Sequence, residues 1–187
     1  MEELQAKFAL IEDSRHSSYV VYRLADVLVM VFCAVLCGMS SLTGVHTYIE
    51  NHAEYFQKNL NIKNMISRAQ LGRILAIIDA DAVGKVIVEI LKERLGTSGD
   101  VIAVDGKAIR STAQAGKIHS ALQILTAYIT ESGVVLGQES IHQKTNEIPV
   151  FQEMLETLDI KGKIVTADAM HCQRETCEKL IMKGADY

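Results

Sequence analysis

The sequence predicts an α/β protein: a helical N-terminal half followed by a mixed sheet with flanking helices. Three observations carry that prediction. Pro149 is the single proline in 187 residues, which favours long helices over irregular loops. The apolar spacing before residue 96 is helical, whereas short aliphatic runs dominate after residue 100. Between them lies Gly96-Thr97-Ser98-Gly99-Asp100, the strongest loop signature in the chain, where we place a domain boundary: residues 1–98 form a helical domain and 99–187 a sheet domain.

The elements follow in order. Tyr19 to Cys37 has helix length without breakers, and Gly38 is placed to end it. Its apolar stretch, Val27 to Cys37, is too short to span a bilayer, which takes about 20 residues, and reads as a core helix. Thr43 or Gly44 can open a second helix carrying Val45, Tyr48, Ile49 and Phe56. Ser67 suits the N-cap of a third, and Asp79 or Asp81 that of a fourth with Val83, Val86, Ile87, Ile90 and Leu91 on one stripe. Val101 to Val104 reads as a buried strand. Ala121 to Tyr128 and Gly133 to Ile141 read as a hairpin turning at Thr130-Glu131-Ser132-Gly133. Asn146 can cap a helix with Ile148, Phe151, Leu155 and Leu158 on one face. Lys163 to Ala167 is a further strand, and Gln173 to Met182 a last helix before Gly184.

Composition bounds the function. With 49% hydrophobic and 22% charged residues, a packed core is expected and disorder is not. A net charge of −4 weighs against a dedicated nucleic-acid-binding module but not against an enzyme that acts on nucleic acid through acidic metal ligands. Cys33, Cys37, Cys172 and Cys177 match no zinc spacing and read as buried, reduced core thiols, which together with the N-terminus Met1-Glu2-Glu3 suggests a cytoplasmic protein.

Two aspartates stand out, each just past a short aliphatic run: Asp105 after Val101-Ile102-Ala103-Val104, and Asp168 after Ile164-Val165-Thr166-Ala167. A carboxylate at the end of a buried strand has to be paired, solvated or metal-bound. If the intervening helix makes the two strands parallel neighbours, both aspartates leave the same edge and can share Mg²⁺ or Mn²⁺. The plainer alternatives are an Asp105-Gly106 turn and an Asp168 helix cap. Lys107, Arg110, Lys117 and His119 give the following segment a positive excess, suited to phosphate contact or simply to solvent. His171 reads as a surface histidine, with a metal or phosphate role as the alternative. Thr126 and Tyr128 read as residues that pack or pair across strands, and Glu175 and Glu178 as surface residues.

The blocks Val101-Ile102-Ala103-Val104-Asp105-Gly106-Lys107-Ala108-Ile109-Arg110, Gly133 to Gln138, Lys144 to Ile148, Ile164 to Gln173 and Lys183 to Tyr187 resemble, in order and spacing, the H-repeat-associated (ISAs group) insertion-sequence transposases. The helical half also resembles the domain associated with that family. The resemblance implies an RNase H-like core with a DDE triad, Mg²⁺-dependent cleavage at transposon ends and strand transfer. Asp105 and Asp168 match the first two acidic positions. The family's catalytic glutamate lies beyond the Gly184-Ala185-Asp186-Tyr187 block, and no residue here matches it. The expectation is the N-terminal part of a DDE transposase, from a truncated or frame-shifted element, with little transposition activity of its own. Its expected partners are DNA and, by self-association or pairing, transposase subunits, with no membrane role. Two rival readings are a non-catalytic DNA-binding or transposase-interacting fragment, and a small Mg²⁺-dependent nuclease using Glu175 or Glu178 as third ligand.

Overall fold

In the computed structural model, residues 1–113, 121–141 and 146–187 are described, apart from the Tyr19 side chain. The chain divides into two compact units, Met1–Val86 and Ile87–Tyr187.

The first unit is helical: α1 (Glu2–Phe8), α2 (Leu24–Leu36), α3 (Leu42–Asn51), α4 (Ala53–Leu60), α5 (Arg68–Leu75) and the start of α6 (Ala80–Leu95). Helix α2 is the centre of its core, with Val27, Val29, Met30 and Ala34 fully buried. Asp26 is also buried on α2, and its carboxylate is satisfied by Gln5 at 2.6 Å and by two Arg23 nitrogens at 2.8 and 2.9 Å. The helix starts at Leu24 rather than Tyr19 because residues 17–19 form a separate 3₁₀ turn. The expected second helix is two, meeting at His52. Ser67 caps α5 in a reciprocal box with Gln70, and Asp79 caps α6 by accepting from the amides of Asp81 and Ala82. Among the described residues, no helix is long and apolar enough to cross a membrane.

In the second unit, β1 (Val101–Ile109), β2 (Leu122–Ile129) and β3 (Val135–Ile141) form an antiparallel meander. Helix α7 (Glu147–Thr157) then crosses over to β4 (Ile164–Thr166), which pairs parallel to β1, and α8 (Arg174–Met182) follows. The sheet order is β3-β2-β1-β4. On the outer side of β4, Asp186 makes one parallel bridge with Ile164. One face of the sheet presents Ile102, Val104, Leu125, Ala127, Ile129 and Leu136 to Phe151, Met154 and Leu155 of α7 and Leu180 of α8, forming a continuous core. Strand β1 outlasts its aliphatic run. Its pairing with β2 continues through Asp105, Gly106 and Lys107 to Ile109, so the alternative Asp-Gly turn is strand.

The cysteines correct the expectation of buried thiols. All four are free, but Cys37 and Cys172 are exposed and Cys33 and Cys177 half-buried. At Cys33, burial pushes the thiol pKa up, which disfavours the reactive thiolate.

Candidate active site

Asp105 sits in the middle of β1, not at its end. Because Ile102 and Val104 point into the core under α7, strand alternation turns Asp105 to the opposite face, where it is exposed. There it stands across from Thr126 of β2, which in turn faces Gln138 of β3, so a polar row crosses the sheet at this level. Thr126 therefore pairs across strands, as its sequence position suggests.

Asp168 lies two residues past β4. The parallel pairing runs Val101 to Ile164, Ile102 to Val165 and Ala103 to Thr166, so Asp105 and Asp168 each lie two residues beyond the last pair. Asp168 is exposed and opens a 3₁₀ turn, Ala169–His171, with extended backbone (φ −59°, ψ 149°). Its carboxylate makes no capping hydrogen bond there, and α8 begins after Gln173 instead. The capping alternative thus falls away, and the carboxylate is left facing solvent beside β1.

Lys107 is exposed on the same face of β1 as Asp105, opposite Ile124, and Arg110 is exposed at the start of the short 3₁₀ turn Arg110–Thr112. Lys117 and His119 lie outside the described residues. Glu175 and Glu178 are exposed on α8, and Glu178 accepts from Arg174 at 2.8 Å, a surface i,i+4 pair. Every aspartate and glutamate of the chain is among the described residues. No group of three His, Cys, Asp or Glu side chains among them is arranged to hold a metal ion.

His171 is the main correction. It is 3% exposed, not a surface residue, and its ring packs edge-on against Phe151 with centroids 4.9 Å apart. Its Nε2 lies 3.6 Å from Oε2 of Glu147, in the first turn of α7. The same carboxylate lies behind β1: a Cβ on Gly106 would meet Oε2 at 2.8 Å. The sequence reading missed Glu147 as a site neighbour, although a signal was present. It is the acid in the first turn of the crossover helix, the turn that must start near the carboxyl end of β1. A cleft of roughly 250 Å³, mostly apolar, opens beside Asp168 and His171 and is lined by Phe151, Val165 and Leu180.

Comparison with known proteins gives the chain its family. Residues 5–90 match the family described as DDE_Tnp_1-associated, and residues 96–187 match the Transposase DDE domain. The "Putative transposase YncI" of Escherichia coli (strain K12) is 32% identical over 189 residues, an alignment covering 100% of this chain and 76% of that one. The chain belongs to the DDE transposase family. Other relatives include the "Putative transposase YncI" of Escherichia coli O157:H7, 33% identical over all of this chain and 48% of its own, and the "H repeat-associated putative transposase YhhI" of strain K12, 30% identical and 50% covered. The chain thus spans about half the length of these two relatives. A piggyBac transposase synaptic complex with hairpin DNA aligns with a TM-score of 0.44 and 14% identity over 98% of this chain and 47% of that one.

Proposed function

We propose that residues 99–187 are the N-terminal part of an RNase H-like DDE catalytic domain and residues 1–98 its associated helical domain, acting in DNA transposition at insertion-sequence ends. The observation that supports this most is the parallel pairing of β1 with β4 up to Ala103 and Thr166, whose continuation would set Asp105 beside Asp168. Two exposed carboxylates in that arrangement suit a hard divalent cation, Mg²⁺ or Mn²⁺, which takes oxygen ligands. Such ions, when bound, activate an attacking water or hydroxyl and stabilise the leaving oxygen in phosphodiester cleavage. Asp105 and Asp168 hold and orient that charge; Lys107 and Arg110, exposed close by, contact DNA phosphates, with Lys117 assigned the same role from its sequence position.

By the family resemblance, Asp105 and Asp168 are the first two carboxylates of a three-carboxylate site, and no third is grouped with them among the described residues. By themselves they therefore bind metal and DNA without completing cleavage, which is also how a regulatory fragment that binds DNA or pairs with transposase would behave. The test is Mn²⁺ binding by calorimetry together with cleavage of a cognate transposon end. We expect weak Mn²⁺ binding that Asp105→Asn or Asp168→Asn abolishes, and no cleavage. Mn²⁺ binding indifferent to both substitutions overturns the site, and Mg²⁺-dependent cleavage by the chain alone overturns the two-carboxylate reading. An experimental structure should place the two carboxylates within about 7 Å, as ions about 4 Å apart require.

A further inference from the structure

We infer that Glu147 and His171 form a positioning pair that holds the Asp168 turn against the back of β1. The inference deepens the proposed metal site and rests on that reading for its functional meaning.

His171 is buried, and its Nδ1 has no hydrogen-bond partner among the described residues. A buried imidazole with neither nitrogen matched carries a desolvation cost, so the side facing Glu147 has to supply the compensation. At 3.6 Å the contact is longer than a hydrogen bond, and the carboxylate stands opposite Nε2 as the acceptor for a ring N–H on that side. The Glu147 side chain is itself only 23% exposed and lies in the first turn of the 11-residue α7, where the helix end favours a negative charge.

The pair joins three elements. Glu147 belongs to α7. Its carboxylate occupies the space a Cβ would take at Gly106, the residue after Asp105. His171 closes the turn that Asp168 opens, its amide donating to the Asp168 carbonyl at 2.9 Å. Ring and amide belong to one residue, so anchoring the ring also limits how far the backbone of the turn can move. Phe151, pressed edge-on to the ring, blocks the other direction. Asp105 and Glu147 lie on opposite faces of β1, so Glu147 supports the site from behind instead of joining it as a ligand.

The experiment follows amide exchange and Mn²⁺ affinity in the 187-residue chain. We expect Glu147→Ala to raise exchange at the His171 amide about tenfold or more while leaving the Ala127 amide in β2 unchanged, and to weaken Mn²⁺ binding by about tenfold, the usual cost of removing a supporting partner of a metal ligand. Glu147→Gln, which keeps the size and an acceptor for Nε2–H, should restore most of the protection. If Glu147→Ala leaves His171 as protected as in the wild type, the inference is overturned. If it loosens Ala127 equally, the effect is global and the inference is overturned too. If the wild type binds no Mn²⁺ yet Glu147→Ala still frees the His171 amide, the positioning pair stands and the metal site fails.

Discussion

Gly99 turns the chain into β1 with φ +138°, and the space beside it is already taken by the Ile129 side chain and by Glu131 Oε2 at 2.9 Å from a would-be Cβ. That glutamate also accepts from the amides of Asp100 and Val101, which holds its carboxyl below the usual range, chiefly through its own backbone amide and then that of Asp100. Gly99→Ala therefore meets both a disfavoured dihedral and an occupied site, and should cost about 2 kcal/mol or more in a denaturant melt. Gly106 differs: its φ is not positive, and the three nearest atoms a Cβ would meet are all at the flexible end of Glu147. Gly106→Ala should cost under about 1 kcal/mol while displacing Glu147 from His171. Asp13 gives a pH effect. Its pKa is lowered chiefly by hydrogen bonding to Arg15, so its contribution to stability is present above the unfolded carboxylate range and is lost as pH falls through the folded value. Asp13→Asn should flatten the acid limb of thermal stability below about pH 4. The strands that carry or precede Asp105 and Asp168 could be anticipated because each aspartate follows an aliphatic run. His171 was not, because a polar side chain is buried by its tertiary neighbours, here Phe151 and Glu147, and nothing in its local sequence announces them.

The helix starts that matched the sequence reading are those with a chemical signature. Ser67 and Gln70 satisfy each other's backbone amides, so Ser67→Ala should lower stability by about 1 kcal/mol with little change elsewhere. Helix α7 ends differently: the Lys183 ammonium reaches back from beyond α8 to donate to the carbonyls of Leu155 and Glu156 at 2.6 and 2.9 Å, a link no local pattern shows. The error in β1 has a clear cause. Asp105-Gly106-Lys107 interrupts the aliphatic run and resembles a turn, but only one face of this strand is covered by helices, so polar residues on the other face do not end it. The break at His52 was hidden for the opposite reason: no glycine or proline marks the place where α3 ends and α4 starts.

Over the whole molecule, the order strand, hairpin, helix, strand, helix followed from turn residues. The pairing of β1 with β4 could be anticipated from the crossover helix, but its register could not, and the register decides which residues stand abreast. Phe151 joins the core of the sheet unit to the ring of His171, so Phe151→Ala should cost about 3–5 kcal/mol and weaken the site as well. Site and core are in this sense one structure. The flanking of the two aspartates is unequal. Asp105 lies within an antiparallel ladder that runs from Ile102 with Ile129 to Ile109 with Leu122, whereas β4 contributes three paired residues and Asp168 falls beyond them. The arrangement is a vice with one fixed jaw. In the proposed site, strand β1 sets the reference position, and the carboxylate spacing rests on how firmly Glu147 and His171 hold the Asp168 turn.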